Sequence, residues 1–126
     1  MEKLVLVHGW FSEKGMRVNL NEQNGMGIGL YTAEGPMMFS GCFRFNGEEF
    51  EGRISDFCGL ADVSLGNLQH GRLSFIKTYI HRGDPINYEF VQKDGSAIYV
   101  GSYEGTLVGS GDARIMLIDA PSELFS

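Results

Sequence analysis

The chain has 126 residues, enough for one ordinary domain, residues 1–126, and no second one is needed. Its formal net charge is -6, and its ten Lys and Arg are scattered singly, which leaves no basic footprint for nucleic acid or an anionic membrane. A 43% apolar share with nine Phe and five Tyr is too rich in core formers for disorder, while eighteen Gly is about twice the usual share of about 7%.

No apolar run approaches the roughly 18 residues a membrane-spanning helix needs, and the segment from Leu4 to Val7 is too short for a secretory core. A cytoplasmic location is the expectation. Leu4 to Phe11 reads as a near-continuous apolar strand. Met16, Val18 and Leu20 then alternate with Arg17, Asn19 and Asn21, and Gly25 to Thr32 is either a strand with one bare side or a loop.

From residue 39 onward the pattern sharpens. Asn46-Gly47 predicts a type I′ hairpin, because both residues tolerate positive φ. That register sets Phe43 opposite Phe50, Gly41 opposite Gly52 and Phe39 opposite Ile54, with Ser40, Cys42, Arg44, Glu49, Glu51 and Arg53 on the wet side. Through a turn near Asp56 to Gly59, the apolar side continues with Ala61, Val63 and Leu65.

Arg82-Gly83-Asp84 and Asp94-Gly95 supply two further turns, the second setting Phe90 opposite Tyr99 and Tyr88 opposite Gly101. Leu73, Phe75, Lys77 and Tyr79 share that face, as do Ala113, Ile115 and Leu117 if the turn near Gly109 keeps parity. Rings opposite glycines suit the interior of a small closed barrel. No segment carries a helical stripe, and the tail from Pro121 makes one short turn at most. The fold class is therefore all-β: an up-and-down antiparallel meander of 8–10 strands closed into a barrel, which removes exposed edges.

The reverse face of the later strands is also apolar: Ile76, Ile80, Val91, Ile98, Val100, Met116 and Ile118. Such a surface exceeds what monomers usually tolerate, so a homodimer or a dimer of dimers through these residues is expected. The opposite assignment, aliphatics inside and rings outside, conflicts with the first hairpin, whose phenylalanine face can only be inward.

Gly9-Trp10 at the end of the first strand, a meander of about eight strands and the late Arg114 resemble the calycin group of barrels, the avidins and lipocalins. That resemblance implies a calycin-like barrel holding a small, mostly apolar molecule. The usual motif of those families has one residue between the glycine and the tryptophan and this chain has none, so no biotin or retinoid contacts are carried over.

Lys77 leads the candidate ligand-binding residues, because alternation places its amine among Phe75, Tyr79, Tyr88 and Phe90. It is an anchor for an anionic group, a Schiff-base amine, or a rim lysine whose stem packs while its head reaches water. Tyr79, Tyr88, Tyr99 and Tyr103 offer ring surface with polar tips, and Phe43 completes the set.

His8, His70 and His81 show no ligand spacing and Cys42 and Cys58 form no C-x-x-C pair, so no metal is expected, and no cofactor either. With Cys42 opposite Glu51, a disulfide to Cys58 is not expected. Arg82-Gly83-Asp84 is read as a turn rather than an adhesion motif, and Asp56 and Glu89 as structural partners of Arg53 or Arg114. The resulting expectation is a module binding a small apolar or anionic molecule in the lumen. A cofactor-free isomerase, cyclase or lyase in the same cavity, and an assembly protein with a filled lumen, are the alternatives.

Overall fold

In the computed structural model, which describes residues 2–13, 37–81 and 83–119, eight strands run in chain order around a closed barrel, each antiparallel to its neighbours. They are β1 (Glu2–Glu13), β2 (Met37–Asn46), β3 (Glu49–Asp56), β4 (Gly59–Gln69), β5 (Arg72–Tyr79), β6 (Pro85–Gln92), β7 (Ile98–Gly105) and β8 (Gly109–Asp119). Closure comes from β8 pairing with β1, from Val5 opposite Asp119 to Glu13 opposite Gly111. The alternation at Met16 to Leu20, the Gly25 to Thr32 segment, Arg82 and the tail lie outside the described residues. No helix among the described residues is long and apolar enough to cross a membrane.

The hairpins keep the expected faces but not the expected register. Asn46 pairs with Glu49, so the loop is Gly47-Glu48, and only Gly47 takes positive φ (72°), the signature of a type II′ turn. Phe45 rather than Phe43 therefore faces Phe50, and Phe43 faces Gly52. The slip is by two residues, which preserves parity, and it sets a ring against a glycine where the expected register set ring against ring and glycine against glycine. The Asp94-Gly95 turn behaves likewise. Both residues have positive φ and Ser96 N–H donates to Lys93 O (2.9 Å), but Phe90 faces Gly101 and Tyr88 faces Tyr103.

Two features run against the simple alternation. His70-Gly71 forms a two-residue turn with both φ positive (53° and 76°), joining Gln69 to Arg72 in a tight hairpin between β4 and β5. In β4 the register shifts between Ser64 and Asn67, and Leu65, expected inside, sits at φ 50° and 78% exposed. This bulge turns Gly66 inward instead, beneath the Phe50 ring, where a Cβ would lie 2.4 Å from a ring carbon. A leucine in that place would collide with the ring.

The interior is aromatic, as the pattern predicted. Phe39, Phe43, Phe45, Phe50, Phe75, Tyr79, Tyr88, Phe90, Tyr99 and Tyr103 are all buried, together with Val5, Val7, Ile54, Leu73 and Ile115. Phe75 stacks on Tyr88 (centroids 5.0 Å apart) and Tyr88 on Tyr103 (5.4 Å), a layer across mid-barrel. The aliphatic set lies outside. Ile80, Val91, Ile98 and Ile118 are exposed, and Ile76, Val100 and Met116 half-buried.

These outer residues do not form one surface. Val91 neighbours Val100, Ile98 neighbours Met116, and Ile118 neighbours the exposed Leu6, making a contiguous band. Ile76 stands apart between Ser64 and Asn87, and Ile80 sits beside Leu60 at the barrel's end.

Candidate functional site

Strand β5 alternates Leu73, Phe75, Lys77 and Tyr79 inward, so an amine enters an aromatic interior. Lys77 is 1% exposed. Its partner comes from the last residue of β3: Asp56 lies two positions after the inward Ile54, on the same face, and its carboxylate is likewise excluded from solvent. Lys77 Nζ donates to Asp56 Oδ2 in a close ion pair. Tyr79 Oη donates to the same oxygen at 2.6 Å. Oδ1 accepts the backbone N–H of Cys58 at 2.7 Å, which fixes the carboxylate to the β3–β4 turn.

Rings complete the environment of the ammonium. It lies 4.7 Å from the centroids of Phe11 and Tyr79, 5.6 Å from that of Tyr88 and 5.7 Å from that of Phe39. Lys77 Nζ also reaches Tyr88 Oη at 3.5 Å. Burial pulls the Lys77 ammonium below its ordinary range, opposed by the hydrogen bond and charge of Asp56. Burial first, then the Asp56 hydrogen bond and charge, push the Tyr79 phenol far above its ordinary value. The cluster is thus a carboxylate with three donors inside an apolar shell, and it carries no net charge when both ions are formed.

A second feature lies at the other end of the barrel, where β2 runs into β3 and β6 into β7. A cavity of about 480 Å³ opens there, lined by the inward Val5, Phe45, Leu68, Tyr99 and Leu117. Gln92, Ser96 and an ion pair of Lys3 with Asp119 (3.1 Å) stand at its rim. On the outer wall of β2 to β4 a broader groove is walled by charges that pair with each other, Arg44 with Glu51 (2.9 Å) and Arg53 with Asp62 (3.1 Å).

The expected ligand-binding residues all point into the barrel but do not gather at one site. Lys77 and Tyr79 meet at Asp56, and Tyr88 joins them through Lys77. Phe43, Phe75, Phe90 and Tyr103 join Tyr88 in the aromatic layer. Tyr99 belongs to the open mouth.

Asp56 was expected to pair with Arg53 or Arg114, and the ion pair with Lys77 corrects this. The signal was parity: the alternation that turns Ile54 inward reaches Asp56 next. Phe11 and Phe39 also line the ammonium and were not singled out as site residues. Cys42 faces Arg53 rather than Glu51, and both cysteines are free. Among the described residues no group of three or more His, Cys, Asp or Glu is arranged to hold a metal ion.

Comparison with protein-family models, with curated proteins and with solved structures yields no match.

Proposed function

We propose that this barrel is a binding module that receives a small, largely apolar molecule through the open mouth, with the aromatic layer of Phe75, Tyr88, Phe90 and Tyr103 as its floor. The observation that carries this reading is the cavity of about 480 Å³ lined by Val5, Phe45, Leu68, Tyr99 and Leu117, a volume within the roughly 300–1,000 Å³ of small-molecule sites. An anionic ligand held by Lys77 has less support, because Asp56 already neutralises that charge.

The eight-stranded closed meander and the packing of Arg114 over the Trp10 ring (5.5 Å) support a calycin-like character. Free thiols at Cys42 and Cys58 support a reducing, cytoplasmic setting. The test is native mass spectrometry of protein from its own host, beside Leu68→Trp, which fills the mouth. A retained small molecule lost in the variant is expected; the same adduct in both places the ligand elsewhere.

A second reading is carried by the Lys77–Asp56–Tyr79 cluster. An amine, a carboxylate and a phenol joined by hydrogen bonds are the groups a cofactor-free isomerase, cyclase or lyase needs to move a proton at carbon. In that case Lys77→Met abolishes turnover while leaving binding at the mouth intact.

A further inference from the structure

We infer that the mouth of the barrel selects a neutral apolar molecule bearing a carbonyl or ether oxygen, and that Tyr99 holds this oxygen through its phenol. This deepens the binding reading above and rests on it.

Tyr99 enters from β7, opposite Gln92 on one side and Ile115 on the other, and is 6% exposed in a lining it shares with the apolar Val5, Phe45, Leu68 and Leu117. The polar groups around the mouth are already committed to one another. Lys3 pairs with Asp119 (3.1 Å), Gln92 Nε2 donates to Ser96 O (2.7 Å), and Ser96 Oγ donates to Lys93 O (2.6 Å). Among the described residues the Tyr99 phenol makes no hydrogen bond, so its proton remains available to whatever occupies the cavity.

The Tyr99 hydroxyl keeps solvent access at the open mouth, so an apolar ligand that closes the cavity removes that access and must supply an acceptor in its place. Burial also raises the Tyr99 pKa, which keeps the phenol a donor. The matching ligand group is therefore an acceptor. It is an uncharged one, since the rim's charged pair cancels itself and no unpaired ion lines the cavity among the described residues. Val5, Leu68 and Leu117 with the ring of Phe45 require the rest of the molecule to be hydrocarbon.

The test uses a neutral naphthyl ketone whose emission reports hydrogen bonding at its carbonyl, 6-propionyl-2-(dimethylamino)naphthalene, and 2-propylnaphthalene as the hydrocarbon match. Wild-type protein is expected to bind both, with the ketone emission red-shifted by the bond. Tyr99→Phe is expected to weaken the ketone by roughly two- to tenfold, remove the red shift and leave the hydrocarbon bound at least as tightly. Equal weakening of both probes, or an unshifted ketone bound to wild type, overturns the role of Tyr99 while the mouth remains a binding site. If neither probe binds wild type, or if Leu68→Trp binds both as tightly, the mouth itself is refuted and this inference goes with it.

Discussion

Lys77 and Asp56 meet inside the barrel across strand β4, an ion pair in which neither side chain retains more than 1% exposure. Each ion depends on the other, because a lone buried charge has neither water nor a counter-ion. Lys77→Met, which leaves Asp56 buried beside the Tyr79 hydroxyl, is expected to cost about 3–5 kcal/mol in urea unfolding. The double variant Lys77→Met/Asp56→Asn is expected to cost clearly less than the sum of its singles, with a coupling of roughly 1–3 kcal/mol. Additive losses would show that the two groups do not interact.

The same cluster sets the response to alkali. The folded state keeps a Tyr79 proton that the unfolded chain releases near pH 10, so stability falls as pH rises above about 10, by about 1.4 kcal/mol per pH unit for that one proton. Tyr99, raised by burial, adds in the same sense. Lys77 acts oppositely. Its folded pKa is lowered, so from that value up to about 10.4 the unfolded chain holds the extra proton and stability rises with pH. Urea unfolding between pH 7 and 11 is expected to show a rise and then a fall. Tyr79→Phe should remove one proton's worth of the fall, and Lys77→Met the rise. A flat profile in wild type refutes both assignments.

Parity explains which parts of this fold were legible in the chain. Both hairpin registers slipped by two residues, and the aromatic face survived because a two-residue slip returns every side chain to its own side. A one-residue event does the reverse, and the bulge after Ser64 moved Leu65 outside. Nothing local announces that bulge. Its cause is the Phe50 ring on the neighbouring strand, which only Gly66 fits beneath. The His70-Gly71 turn was hidden because histidine, though enriched among non-glycine residues at positive φ, is not one of the residues that dominate turns. Lys77 was found by alternation, whereas its partner needed that alternation carried one step past the strand's apolar residues.

Two kinds of glycine predict two kinds of cost. At Gly101 a Cβ would stand 1.8 Å from Glu89 O, so Gly101→Ala must push β6 and β7 apart beneath Phe90. A loss of about 2–3 kcal/mol, the upper range for overpacking, is expected by urea unfolding. At Gly47 nothing lies within 4 Å and only the positive φ of 72° resists a side chain. Gly47→Ala is expected to cost about 1–2 kcal/mol and Gly47→Asn about as much, because the first central residue of a type II′ turn lies outside the left-handed helical region that asparagine tolerates. A Gly47→Asn variant clearly more stable than Gly47→Ala would argue for a type I′ turn and against type II′.

The outer aliphatic band calls for a cover of its own, and we propose that a second copy of the chain provides it. Leu6, Val91, Ile98, Val100, Met116 and Ile118 adjoin through the β6–β7, β7–β8 and β8–β1 pairings, an apolar wall on a side that also faces outward. Among the described residues, closure of the barrel leaves no free edge for strand addition, so association proceeds face to face through side chains. Sedimentation velocity is expected to give a dimer that Ile98→Glu and Val100→Glu each convert to monomer. Ile76→Glu, whose neighbours are Ser64 and Asn87, is expected to leave it intact. Wild-type protein that stays monomeric at high micromolar concentration would rule out a self-contact through this wall, as would a dimer indifferent to both glutamates.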